Sequence, residues 1–175
     1  MHTMNKLLSA LLLALGGCVG VPQGLEPVQG FELERYLGTW YEIARLDHSF
    51  ERGLSRVSAT YSLREDGGVR VRNRGYSAKH GRWKEAVGRA YFVGGADAGH
   101  LKVSFFGPFY GTYVIVHLDR ENYQYALVCG PDHGFLWILS REPQIAPDTL
   151  AMLLARAKSL GFDTEALIFV KHGED

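Results

Sequence analysis

Between residues 38 and 140 the chain repeats one pattern: a short β-prone run, then turn residues, with no helical period between them. The runs are Gly38–Leu46, Val57–Leu63, Val69–Tyr76, Trp83–Val93, Leu101–Phe106, Gly111–Leu118, Tyr123–Cys129 and Phe135–Ser140. Arg64-Glu65-Asp66-Gly67-Gly68, Gly107-Pro108, Asp119-Arg120-Glu121-Asn122 and Gly130-Pro131-Asp132 separate them and read as turns. Val69-Arg70-Val71-Arg72 alternates at period two, as a half-exposed strand does. Eight strands joined by hairpins predict an all-β fold, an eight-stranded antiparallel up-and-down barrel. Closure removes the edges that an open sheet would leave unpaired. One helix is predicted, with Pro147 in its first turn and Gly161 just past its end. Leu150, Leu153, Leu154 and Ala157 give it one apolar face, so it should pack outside the barrel. A short final strand is expected over Ala166–Lys171.

The 175 residues suit one domain, and no internal repeat or low-complexity stretch suggests a second. Nineteen Lys and Arg balance nineteen Asp and Glu, which excludes the strongly basic surface of a nucleic-acid binder.

The first residues stand apart from the barrel. Lys6 is followed by an apolar run, Leu7 to Leu15, too short to span a bilayer and suited to a signal-peptide core. The run ends in Leu15-Gly16-Gly17-Cys18, which resembles the lipobox of bacterial lipoproteins. That resemblance implies a signal peptide over 1–17 and a lipid anchor on the thiol of Cys18. It further implies a tether over 18–30 and a folded domain over 31–175. Val19, rather than Asp, follows the cysteine, so the implied destination is the outer membrane, with the domain facing the periplasm. Two Pro and two Gly between Val19 and Gln29 suggest a flexible tether. With Cys18 acylated, Cys129 has no disulfide partner and is expected to behave as a small buried apolar residue.

Three short motifs carry a further resemblance. Gly38-Thr39-Trp40-Tyr41-Glu42-Ile43-Ala44-Arg45 opens the first strand, Leu118-Asp119-Arg120-Glu121-Asn122-Tyr123 lies between strands six and seven, and Arg141 follows strand eight. Together, in this order, they resemble the signatures of the lipocalin family. Phe105-Phe106-Gly107-Pro108-Phe109-Tyr110-Gly111, Trp137-Ile138-Leu139-Ser140-Arg141 and Leu160-Gly161-Phe162-Asp163-Thr164 resemble its bacterial members. The likeness runs from about Phe31 to Val170. It implies that Trp40 fills the closed end of the barrel and that Arg141 lays its guanidinium across the indole.

With Arg141 turned toward the axis, alternation along the family's barrel fixes the inward side chains. They are Leu139, Trp137 and Phe135 on strand eight, Phe105, Val103 and Leu101 on strand five, and Tyr113 and Ile115 on strand six. Ala126 and Val128 follow on strand seven, and Ala90 and Phe92 on strand four. Ala59, Ala90 and Ala126 are small and leave space. The set is apolar with one phenol, which suits a long hydrocarbon chain and so a fatty acid or lysophospholipid. Arg52, Arg74, Lys79, His80 and Arg82 are candidates near the mouth for a carboxylate or phosphate head. Glu42 is placed as an inward carboxylate near the floor, paired within the fold. No metal-ligand spacing, phosphate loop or nucleophile elbow occurs, so no metal, cofactor or catalytic residue is assigned. The resemblance implies a homodimer. Two competing readings remain: an isomerase-type lipocalin using Cys129, and a binder of a tetrapyrrole or other planar pigment.

Overall fold

The computed structural model describes residues 19–173. Eight strands form the barrel: β1 (Gly38–Arg45), β2 (Leu54–Leu63), β3 (Val69–Ser77), β4 (Arg82–Phe92), β5 (His100–Phe106), β6 (Phe109–Leu118), β7 (Tyr125–Cys129) and β8 (Leu136–Ser140). Each pairs antiparallel with the next, and β1 pairs with both β2 and β8, which closes the sheet. The predicted turns make the predicted hairpins. At the β2–β3 turn Asp66 accepts from the Gly68 amide at 3.0 Å, and Gly67 takes φ +79, a conformation that suits glycine. The register Thr60↔Arg72 then puts Val69 and Val71 inside and Arg70 and Arg72 outside.

Two apolar layers result. One fills the barrel, with Trp40, Val71, Leu101, Ile115 and Leu139 among its members. The other lies outside, where Val114, Val116, Leu127, Leu136 and Ile138 meet the helix α2 (Pro147–Ser159) through Leu153 and Ala157. β7 and β8 are therefore buried on both faces, which is why they read as nearly continuous apolar runs. A four-residue helix, α1 (Leu33–Tyr36), lies across the lower end.

Several boundaries move. β2 begins at Leu54, three residues before the expected start, beyond a bulge that includes Arg56 at φ +52. β7 begins at Tyr125 because Asp119 ties the amides of Glu121, Asn122 and Gln124 into the preceding turn. The final strand, β9, is only Ile168–Phe169, added to β1, since Asp163 caps a turn over Thr164–Ala166.

The segment expected to be a flexible tether is laid along the barrel. The Val28 amide donates to Ile115, the Gly99 amide donates to Val28, and Leu25 is buried in the outer layer. Thr112 Oγ1 donates to the Gly20 carbonyl at 3.1 Å, and His100 Nε2 donates to that of Val19 at 2.9 Å. Pro and Gly set its backbone angles without making it loose, because strand-like hydrogen bonds hold it. The expected signal peptide and Cys18 lie outside the described residues.

Candidate functional site: the barrel cavity

The lower end is closed by stacked rings and one cation. The Trp40 indole N–H donates to the Tyr36 carbonyl at 2.8 Å, and the two rings lie 4.7 Å apart. The Arg141 guanidinium sits 4.0 Å from the Trp40 ring. Its nitrogens donate to the carbonyls of Arg35 at 2.7 Å, Thr39 at 3.0 Å and Tyr123 at 3.2 Å. One side chain thereby joins α1, β1 and the β6–β7 turn. Gly38 has φ +96, a backbone conformation that suits glycine, and so admits the turn beside the cation. Asp119 organises the turn that holds Tyr123 at φ +54, and the Tyr123 hydroxyl accepts from the Glu32 amide at 3.1 Å.

Above this floor three phenols meet. Tyr113 Oη lies 2.8 Å from that of Tyr36 and 2.9 Å from that of Tyr61. Burial pushes all three phenols up, so each stays a neutral O–H that can donate or accept. Tyr61 and Tyr113, with Val71 and Val103, border both of the barrel's chambers. The lower chamber is small and wholly apolar around Phe31, Leu33, Ala90 and Leu101. The upper chamber has a cavity volume of about 100 Å³, and Phe50 stands at its rim.

The inward assignments separate accordingly. Val103, Phe105, Tyr113, Val128, Trp137 and Leu139 line the upper chamber. Ala90 and Leu101 line the lower one, together with Val103 and Tyr113. Phe92, Ile115 and Ala126 belong to the interior packing and border neither chamber. Phe135 is displaced to the rim, ringed by His48 at 6.1 Å and Trp137 at 6.3 Å, because the Asp132 turn keeps it out of β8. Sequence reasoning passed over Val57, Tyr61, Val71 and Asn73, although the alternation along β2 and β3 marks them as inward.

The cations expected near the mouth do not reach down into the cavity. None of Arg52, Arg74, Lys79, His80 and Arg82 lines the cavity. Arg52 is forked onto Asp47 at 2.6 Å, and Arg74 is stacked 3.9 Å over Trp83. The carboxylates at the wall are Glu42 and Glu51. Glu42 faces inward and is paired, as expected. It lies two residues above Trp40, where a bulge between Glu42 and Ala44 breaks the alternation and turns Arg45 to the same side. Arg45 Nη1 then meets Glu42 Oε1 at 2.6 Å, both side chains being buried. Arg45 Nη2 also donates to the Glu51 carbonyl at 2.9 Å. Glu51 Oε2 takes the Trp137 indole N–H at 3.1 Å and lies 3.1 Å from His48 Nε2. Burial, then the charge of Glu51, raises the Glu42 carboxyl well above the usual carboxylate range, against the pull of Arg45. Burial opposes ionisation of Glu51 as well, but His48, Trp137 and Arg45 outweigh it and hold its carboxyl low. The two carboxyls are therefore pushed in opposite directions, Glu42 up and Glu51 down.

Cys129 is no cavity thiol. It packs in the outer layer beneath α2, and burial pushes its pKa up to about 12. The isomerase reading loses its nucleophile, because a reactive thiol needs a lowered pKa and a path to substrate.

A family model described as a lipocalin-like domain matches residues 31–172. Outer membrane lipoprotein Blc of Vibrio cholerae is 59% identical over 157 residues, covering 90% of this chain and 92% of that protein. The protein of the same name from Escherichia coli K12 is 55% identical over 150 residues, covering 86% and 84%. Among solved structures, insecticyanin from the tobacco hornworm Manduca sexta superposes with a TM-score of 0.71 at 20% identity. That match covers 89% of this chain and 88% of insecticyanin, and it shows the shared fold. The chain thus belongs to the lipocalin family, with bacterial outer membrane lipoproteins as relatives over most of its length.

Proposed function

We propose that this barrel holds a single-chain lipid, a fatty acid or a lysophospholipid, with the acyl chain down and the head at the mouth. The protein would store or carry such lipids for envelope repair, facing the periplasm from an anchor on Cys18. The observation that carries this reading is the upper chamber: apolar walls, an open rim at Phe50 and a floor of three tyrosines. Each buried methylene contributes about 0.8 kcal/mol, so about ten give roughly 8 kcal/mol before the cost of association. The 100 Å³ is less than the ~300 Å³ or more of most ligand pockets, so side chains of the wall would have to rearrange to admit a full acyl chain. The head stays in water at the mouth, since the wall below offers carboxylates rather than cations.

Titration of residues 19–175 with fatty acids and lysophospholipids of increasing length, read by tryptophan emission, tests this reading. Affinity should rise with length and then level off as the chain meets the tyrosine floor. Two-chain phospholipids should bind at least about tenfold more weakly, as an eight-stranded interior has room for one chain. Trp137→Ala should weaken binding, and Lys84→Ala, on the exposed face of β4, should leave it unchanged. No saturable signal with any single-chain lipid, or equal affinity for short and long chains, would refute the assignment.

The anchor has its own test. Cys18→Ser should leave the protein unprocessed or release it from the membrane fraction. Unchanged fractionation and migration would remove Cys18 from the scheme.

A further inference from the structure

The tip of the β5–β6 hairpin carries the two most exposed large apolar side chains among the described residues. Phe106 is 83% exposed and Phe109 79%, on either side of Gly107-Pro108. Phe50, 62% exposed, stands at the same end of the barrel. Phenyl rings clustered on one tip are a costly surface in water and mark a place of contact. Two cations back the tip. The Arg89 guanidinium lies against Gly107, where an added Cβ would come within 2.6 Å of it, and Nε donates to the Tyr110 hydroxyl at 3.0 Å. Lys102 Nζ lies 5.1 Å over the same Tyr110 ring. An apolar point with cations one layer behind it suits a phospholipid surface. The rings reach acyl chains while the cations remain at the phosphates.

A second observation is where the described chain begins. Val19 and Gly20 are tied to His100 on β5 and Thr112 on β6, the two strands of this hairpin. Thr112, which holds Gly20, is three residues from Phe109, or about 10 Å along a strand, and His100, which holds Val19, is six residues from Phe106, or about 20 Å. Cys18 follows Val19 directly, so an acylated Cys18 cannot hold the barrel at a distance from the bilayer. Its acyl chains would enter the membrane within reach of the hairpin.

We infer that the β5–β6 hairpin tip, with Phe106 and Phe109, inserts into the leaflet that holds the anchor and sets the mouth against the bilayer. The proposal rests on the Cys18 anchor and on lipid as the ligand, and it names the source: a single-chain lipid passes from leaflet to barrel without crossing water.

The test uses the full acylated chain in vesicles of phosphatidylethanolamine and phosphatidylglycerol whose acyl chains carry bromine. Only vesicle-bound protein is measured, and wild-type emission is subtracted. Phe109→Trp should lose most of its added emission to bromine quenching. Leu63→Trp, at the opposite end of the barrel, should lose none. Equal quenching of the two variants, or none of either, overturns the inference while leaving the anchor intact. An empty bound fraction overturns both. If Phe109→Trp is unquenched and sedimentation shows that Phe106→Ser with Phe109→Ser breaks a dimer, the tip joins two copies of the chain and the inference falls.

Discussion

Trp40→Ala is expected to lower the unfolding free energy by roughly 3–5 kcal/mol, the range for truncating a buried aromatic. The indole is fully buried, it donates to Tyr36, and its face is the platform for Arg141. Removing it leaves a cavity at the closed end and takes the stacking partner from a guanidinium that joins three segments. Arg141→Ala should cost less. It loses the stack, worth about 0.5–2 kcal/mol, and three hydrogen bonds to carbonyls that water can partly replace. The two losses should not add, because the contact between them is counted in each single variant. Urea unfolding of both single variants and the double variant checks this. Additive losses, or a Trp40→Ala loss under about 1 kcal/mol, would show that the pair does not brace the floor.

Strand number and order were legible because the turns use residues that few other conformations favour. Asp66-Gly67, Gly107-Pro108 and Asp119 fall at hairpin ends in the structure. Inward parity was legible wherever alternation runs unbroken, as at Leu101 and Val103 on β5 and at Trp137 and Leu139 on β8. It failed where register slips. The bulge after Glu42 brings Arg45 beside it, and no local composition announces a bulge that lacks glycine. Glu51 and Phe50 reach the cavity from the loop between β1 and β2, and Tyr36 reaches it from a helix of only four residues. None of the three belongs to an element whose period could be read. The tether misled for a different reason. Its amides and carbonyls pair with Ile115, Gly99, Thr112 and His100, and backbone pairing leaves no mark in composition.

The buried carboxylates at the cavity wall make the second large effect. Arg45→Leu should destabilise by about 3–5 kcal/mol near neutral pH, because it removes the guanidinium bonded to the buried Glu42 carboxyl and to the Glu51 carbonyl, and with it a charge that helps keep Glu51 ionised. The loss should depend on pH, with a sign that follows from the two carboxyls. The carboxyl of Glu42 is raised in the folded state, so the folded chain keeps a proton that the unfolded chain releases, and stability falls as pH rises toward the folded value. Without Arg45 the carboxyl rises further, so its share of the deficit grows as pH rises from the wild-type folded value toward the higher one of the variant. Glu51 is held low in the folded state, so its contribution is present above the unfolded carboxylate range and is lost as pH falls through the folded value. Arg45→Leu weakens that contribution too, so the Glu51 carboxyl makes the deficit larger at neutral pH than in acid. Glu42→Leu introduced with Arg45→Leu should recover a large part of the loss, since replacing a buried pair by apolar residues of similar size is often neutral. The measurement is urea unfolding of the wild type, Arg45→Leu and the double variant from neutral to acidic pH. A deficit that stays constant with pH, or a double variant no more stable than Arg45→Leu, would mean that Arg45 acts through packing and its carbonyl contacts, not through the charge of the carboxylates.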